Sequence, residues 1–295
     1  MPRKQASDFH PEVMRIFDQY VHGFIDRRGF LAEAGKYAVG GVTAAALLEE
    51  LSPKFAEAQV VAPDDKRITT SWLEYQSPNG NGTMKGYLAR PAKVSGKLGV
   101  ILVVHENRGL NPHIMDIARR LALDNFIAFA PDALTPLGGY PGDEDKARDL
   151  FGKLDQAKSR EDFVAAAQFA EKLPDNNGRL GVVGFCYGGS ITNFLATRLP
   201  ELKAAVPFYG GQPKAEEAAK IKAPMLIHYA GKDERVNAGW PEFETALKAA
   251  GVKYQEYVYE GAEHGFNNDT TPRFDKDAAA LAWKRTVDFF KQNVA

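Results

Sequence analysis

The single cysteine of this 295-residue chain, Cys186, stands in Val183-Gly184-Phe185-Cys186-Tyr187-Gly188-Gly189, where an apolar run meets a glycine-flanked turn. A strand-to-helix turn of the pattern Gly-x-nucleophile-x-Gly lifts one side chain above a sheet. It also leaves backbone N–H groups free at a helix start, where they can stabilise an oxyanion. A buried, inert thiol is the plain alternative for a lone cysteine, and the glycines two residues before and after it favour the nucleophile. A thiol needs a base to become a thiolate, and that base needs a third group to orient it. Asp233, in Gly231-Lys232-Asp233-Glu234, and His264, in Gly261-Ala262-Glu263-His264-Gly265-Phe266, complete the order nucleophile, acid, histidine. Glu234 competes with Asp233 for the acidic role, and a surface-loop histidine is the alternative reading of His264. The other five histidines fit the base less well: His10 and His22 lie in an N-terminal segment, His228 in an apolar strand, and His105 and His113 ahead of the elbow.

The elements that must position these groups follow from the hydrophobic pattern. Residues 68–75 and 84–89 read as a hairpin around the turn Ser77-Pro78-Asn79-Gly80-Asn81-Gly82, and 99–104 as a strand buried on both faces. Helix 113–124, strand 126–130, helices 144–154 and 160–172, and strand 180–184 then lead to the elbow. Beyond it come helix 190–197, strands 204–208 and 225–229, helix 241–250, strand 254–259 and helix 276–291. Such alternation predicts an α/β fold, a mostly parallel central sheet with helices on both faces. Its ligands should bind outside the carboxyl ends of the strands.

Glu106 follows directly on strand 99–104, in the loop His105-Glu106-Asn107-Arg108-Gly109. Taken alone, it reads as a loop anchor or as a participant in the chemistry. Together, that loop, Gly184-Phe185-Cys186-Tyr187-Gly188-Gly189, Gly231-Lys232-Asp233 and Glu263-His264-Gly265-Phe266 resemble the dienelactone hydrolase family (carboxymethylenebutenolidases), of the α/β-hydrolase superfamily, over residues 68–290. The resemblance implies Cys186 as nucleophile, His264 as its base, Asp233 as the orienting acid, and Glu106 holding the thiol proton until substrate displaces it. It also implies backbone N–H groups of Tyr187 and Asn107 as the oxyanion hole. Family members that hydrolyse dienelactone hold its carboxylate with two arginines, one after the Pro-Asp that follows the fourth strand and one four residues past the histidine. Here those stretches are Pro131-Asp132-Ala133-Leu134-Thr135-Pro136-Leu137 and His264-Gly265-Phe266-Asn267-Asn268, with no arginine in either. Arg108 and Arg273 are candidates to replace that charge, or are structural arginines. Tyr140, in a Gly/Pro-rich loop, either lines the entrance or packs its own loop.

The 37 basic and 38 acidic side chains nearly cancel, which gives no reason to expect a nucleic-acid partner. One cysteine excludes an intrachain disulfide or a Cys-rich metal site, and no metal-ligand spacing, P-loop or dinucleotide fingerprint occurs, so neither metal nor cofactor is expected. The expected function is cysteine-dependent hydrolysis of a small-molecule ester or lactone through an acyl-cysteine. Alternatives are a broader carboxylesterase or thioesterase with the same triad, a thiol redox protein lacking a resolving cysteine in the same chain, and a binding protein on this scaffold.

The N-terminus divides two readings. Asp26-Arg27-Arg28-Gly29-Phe30-Leu31, an Ala/Gly-rich run over residues 37–48 and the small residues of Ala56-Glu57-Ala58 resemble a twin-arginine export signal. On that reading residues 1–58 are an extension removed by the export machinery, and 59–295 are a periplasmic or secreted catalytic domain. Glu33, Lys36, Glu49 and Glu50 suit the alternative, a helical extension packed on a cytoplasmic protein. Residues 10–25 then form an amphipathic helix with Val13, Ile16, Phe17, Tyr20 and Phe24 on one face. No apolar segment reaches the roughly 20 residues of a membrane span.

Overall fold

Residues 98–104, Leu-Gly-Val-Ile-Leu-Val-Val, have no polar face, so a strand here must be covered on both sides. The computed structural model, which describes residues 4–38 and 42–295, places this run as β3 near the middle of an eight-stranded sheet. The strands are β1 (Ile68–Ser77), β2 (Gly82–Pro91), β3 (Leu98–Val104), β4 (Ile127–Pro131), β5 (Asn176–Phe185), β6 (Ala204–Phe208), β7 (Met225–Ala230) and β8 (Tyr254–Tyr259). Their order is β1-β2-β4-β3-β5-β6-β7-β8. The β1–β2 and β2–β4 pairs are antiparallel, and every pair from β4–β3 to β7–β8 is parallel.

The helices in chain order are α1 (Pro11–Val21), α2 (Arg27–Ala34), α3 (Ala44–Leu51), α4 (Phe55–Ala58), α5 (Pro112–Leu123), α6 (Glu144–Phe151), α7 (Gln156–Ala170), α8 (Tyr187–Arg198), α9 (Ala215–Ala218), α10 (Glu234–Asn237), α11 (Trp240–Ala249) and α12 (Lys276–Asn293). Side chains of β3 alternate between two apolar layers. Val100, Leu102 and Val104 join Phe163 of α7, Leu195 of α8 and Phe243 of α11. Ile101 and Val103 join Ile114, Ile117 and Leu121 of α5 and Phe290 of α12. The expected fold class, a mostly parallel sheet with helices on both faces, is what the chain adopts.

The N-terminal segment has an apolar cluster of its own. Among the described residues, Phe9, Val13, Ile16, Phe17, Tyr20, Phe30, Leu48 and Leu51 bury one another in a cluster that takes no side chain from the sheet or its flanking helices. His10 caps α1 by accepting from the Glu12 N–H, and Pro11 starts it. The helix stops at Val21, short of the expected residue 25, because Gly23 turns the chain with φ of 78°. Phe24 is therefore 67% exposed instead of completing the apolar face. Arg27 and Arg28 open α2, and Arg27 pairs with Asp145 at 3.0 Å. Part of the 37–48 run, residues 39–41, lies outside the described residues.

This segment sits on the sheet's carboxyl end through polar contacts. The Val21 carbonyl accepts from Asn107 Nδ2 at 2.9 Å and from Arg108 Nη2 at 3.1 Å, and the Tyr20 hydroxyl donates to Asp145. Beyond α4 the chain is pinned by Asp116 of α5, which accepts from the Val60 and Val61 N–H groups and from Arg119 and Arg120. Asp116 and Arg119 are both buried, so removing the carboxylate leaves the Arg119 charge without its counter-ion and the buried Val61 N–H without an acceptor. Asp116→Ala should cost about 3–5 kcal/mol, seen as a fall of roughly 10 °C in thermal midpoint. An unchanged midpoint would contradict this account of the connection.

Candidate active site

β5 ends at Phe185 and α8 begins at Tyr187, so a single residue makes the turn between them. Cys186 does so with φ of 55° and ψ of −112°, a backbone state that costs an L-residue about 1–3 kcal/mol. Its neighbours must lie very close to permit this. A Cβ on Gly184 would stand 2.0 Å from the Gly188 carbonyl oxygen, and one on Gly188 would stand 2.2 Å from that of Val104. The Cys186 N–H donates to the Phe208 carbonyl at 3.1 Å, tying the elbow to β6. Tyr187 opens α8, so its N–H lacks an intrahelical acceptor.

Asp233 and His264 reach the same rim because the loops after β7 and β8 are bonded to each other. Gly231 N–H donates to the Tyr259 carbonyl at 2.9 Å and Lys232 N–H to that of Ala262 at 3.1 Å. His264 precedes Gly265, whose φ of 84° turns the chain back. Its Nδ1 bonds to Asp233 Oδ2, and both side chains are buried. Asp233, and not Glu234, is thus the carboxylate on the histidine. The ligand atoms of His264, Cys186 and His22 all lie within 4.8 Å of one another.

Burial alone would raise the Cys186 thiol. The His264 charge and the hydrogen bond to His22 oppose it and bring the group down to about 6. Burial would likewise lower His264, but the Cys186 charge and the Asp233 bond raise it to about 10. The site therefore favours a thiolate beside an imidazolium.

Other expected residues line this rim in altered roles. Glu106 accepts from Asn268 Nδ2 at 2.8 Å, whereas the group at hydrogen-bonding range of Sγ is His22 Nε2, at 3.8 Å. Glu106, Asn107, Arg108, Tyr140 and Arg273 all line one cavity of about 370 Å³ under α1. Arg108 spends its donors on the Asn107 and Val21 carbonyls, and the Tyr140 hydroxyl donates to Glu144 at 2.8 Å. Arg273 differs. Its Nε and Nη1 are buried without a hydrogen-bond partner among the described residues, its guanidinium lies over the Phe17 ring, and its nearest acid, Asp18, is 3.7 Å away.

Two residues near the thiol are not among those the sequence places there, and His22 is one of the histidines that fit the base less well. Tyr209, with φ of 37°, packs its ring 5.0 Å from that of His264. Its position just after β6, in Phe208-Tyr209-Gly210-Gly211, is the one available signal. His22 sits 164 residues before Cys186 and carries no local signal at all. His105 accepts from the Ala133 N–H, and His228, lowered to about 3 by burial, lies between Thr286 and Tyr259. No helix among the described residues is long and apolar enough to cross a membrane.

A model of the dienelactone hydrolase family matches residues 84–294, and one described as YqhI-like matches residues 1–38. The chain is 34% identical over 255 residues to a "Putative carboxymethylenebutenolidase" of Escherichia coli K12, covering 80% of this chain and 92% of that one. It is similar to a crystal structure titled "Putative Dienelactone Hydrolase" from Klebsiella pneumoniae, at 31% identity and a TM-score of 0.67, over 76% of this chain and 99% of that one. The crystal structure of a doubly substituted mutant of the esterase rPPE shares the fold at 20% identity and a TM-score of 0.63, over 94% of this chain and 97% of that one.

Asp233→Asn should present His264 in the wrong tautomer and slow iodoacetamide alkylation of the sole cysteine several-fold at neutral pH. Glu234→Gln should leave the rate within about twofold, since Glu234 is exposed and off the histidine. Equal effects of the two changes would remove Asp233 from its assigned place.

Proposed function

This chain belongs to the dienelactone hydrolase family, and from the geometry of its elbow we propose that it hydrolyses small esters or lactones with Cys186 as nucleophile. The observation that carries this is a cysteine at positive φ on the sheet's rim, close to an imidazole already bonded to a buried carboxylate. The thiolate attacks the carbonyl carbon, and the π electrons move onto oxygen. The N–H groups of Tyr187 and Asn107 donate to that oxyanion, worth about 3 kcal/mol each by analogy with measured cases. Collapse breaks the acyl C–O bond while His264 gives its proton to the leaving alkoxide, leaving an acyl-cysteine. His264 then takes a proton from water, which attacks the thioester, and a second collapse releases the acid.

The substrate class follows from Arg273. Its Nε and Nη1 make no hydrogen bond among the described residues and its nearest acid, Asp18, stands 3.7 Å off, so a guanidinium on this cavity beside the oxyanion loop favours an anionic group on the acyl or leaving side. The acids on that cavity wall are engaged elsewhere: Glu49 by Lys54, Glu106 by Asn268, Asp143 by the Lys146 N–H, Glu144 by Tyr140, and Asp145 by Tyr20 and Arg27. A carboxylate-bearing ester or lactone is the reading we favour.

We further infer that residues 1–58 stay attached in the working enzyme, because α1 and α2 close over the oxyanion loop and the cavity. Removal of that segment during export is the competing reading. Protein recovered from cells with Gln59 as its first residue would establish export.

A paired panel of neutral and carboxylate-bearing aryl esters tests the function. The wild-type chain should form an acyl adduct on Cys186 visible by mass spectrometry, and Cys186→Ala should abolish turnover of both esters without shifting the thermal midpoint. Arg273→Gln should raise KM for the acidic ester about tenfold, the loss of one charge-assisted bond, and leave the neutral ester unchanged. Full activity in Cys186→Ala would overturn the nucleophile, and equal KM changes for both esters would overturn the substrate class.

A further inference from the structure

Cys186 has two imidazoles beside it, and the second, His22, comes from outside the sheet. His22 follows the last residue of α1, and its Nε2 is 3.8 Å from Sγ. Each ring has a carboxylate on its far side. His264 Nδ1 bonds to Asp233, and His22 Nδ1 faces Asp18 Oδ1 at 3.2 Å and the Asp18 carbonyl at 2.8 Å. With both Nδ1 atoms engaged in this way, the Nε2 atoms are the ones that face the sulfur, and a cation entering there would displace the proton that the metal-free site holds on His264. The Nε2 of His264 is buried and has no hydrogen-bond partner among the described residues. That of His22 meets, besides the thiol, the guanidinium of Arg235, whose Nη2 is 3.1 Å away.

We propose that Cys186, His264 and His22 form a site for a thiophilic divalent cation of the zinc class, which when filled clamps the N-terminal segment over the nucleophile. The donor set, one thiolate and two imidazoles, suits such a cation, and three protein ligands leave a fourth position open. Tetrahedral zinc, with Zn–S near 2.3 Å and Zn–N near 2.0–2.1 Å, separates sulfur from nitrogen by about 3.5 Å. The sulfur-to-His22 distance of 3.8 Å is already close to this, and a limit of 4.8 Å on every pair asks for a contraction of roughly one ångström. The carboxylates behind both imidazoles provide the outer shell that orients metal-bound histidines. Among the described residues, Arg235 is the opposing charge in contact, and it is exposed, so it can turn into water as the cation enters.

Filling the site would have a clear effect on chemistry. The cation would take the thiolate lone pair needed for attack and hold α1 against the elbow. A bound cation would therefore inhibit, and the proposed hydrolysis would be the work of the metal-free chain. Nothing along the sequence announces this cluster, because its ligands come from positions 22, 186 and 264.

The full chain, stripped of metal by chelation, is titrated with Co²⁺ and then Zn²⁺. One Co²⁺ per chain should bind with an intense thiolate-to-cobalt absorption band in the near ultraviolet, which Zn²⁺ abolishes by displacement. Zn²⁺ should also protect Cys186 from iodoacetamide. His22→Ala should weaken Zn²⁺ binding at least a hundredfold, and Asp18→Asn, which keeps all three ligands, about tenfold. Circular dichroism of both variants checks that α1 remains folded; if it is lost in His22→Ala, His22→Gln and Asp18→Asn carry the comparison. Absence of the cobalt band, or Zn²⁺ affinity unchanged in Asp18→Asn and in the folded His22 variant, would overturn the site. Ester hydrolysis by the metal-free chain is read separately, so either result leaves the hydrolase assignment to its own test.

Discussion

Everything at the rim depends on how closely β5, α8, β3 and β6 approach one another around Cys186. The cysteine can hold its left-handed backbone only because Gly184 and Gly188 touch where side chains would collide, and because Gly189 lies against the Phe208 carbonyl and Gly210. Had any of these carried a Cβ, helix α8 would have to draw away from the sheet, and the thiol would drop below the plane that His264 reaches. The strain at one residue is balanced by packing throughout the layer beneath it, where β3 and the second half of β5 are buried on both faces.

Much of this is legible in the chain. The strands Ala204–Phe208 and Tyr254–Tyr259 fall where the hydrophobic pattern puts them, since each is a short apolar or β-prone run closed by a glycine or a polar turn. The elbow, Asp233 and His264 are legible because each sits within a few residues of a strand end, so local pattern carries their position. The short distance between the two loops that hold Asp233 and His264 is not, because it comes from bonds between Gly231, Lys232, Tyr259 and Ala262 that no spacing encodes. The span 10–25 overshoots α1 because the apolar period continues through Phe24, while Gly23 ends the backbone helix first. Glu106 is on the loop its sequence position indicates, but its partner is Asn268, a residue brought to it only by the way the chain returns after β8.

The N-terminal residues illustrate a different limit. Their composition supports either a segment to be exported or one to be folded, since alanine and glycine serve both. In the folded chain the arginine pair begins a helix, and the aromatic residues around it make a small interior of their own. What sequence could not supply is the direction in which this body faces. His22 becomes chemically significant only because the Val21 carbonyl is held by Asn107 and Arg108, which sets the end of α1 directly above Cys186.

The contrast between the interior of that body and its seat carries a consequence of its own. Its apolar side chains are spent on one another, whereas its hold on the sheet includes carbonyl bonds, the Arg27–Asp145 pair, the His22 contacts and cations over the Tyr20 and Phe17 rings. The charged members of that seat weaken with ionic strength, and apolar contacts do not. Departure from the rim thus exposes little oil to water, and access to the sulfur is sensitive to dissolved electrolyte.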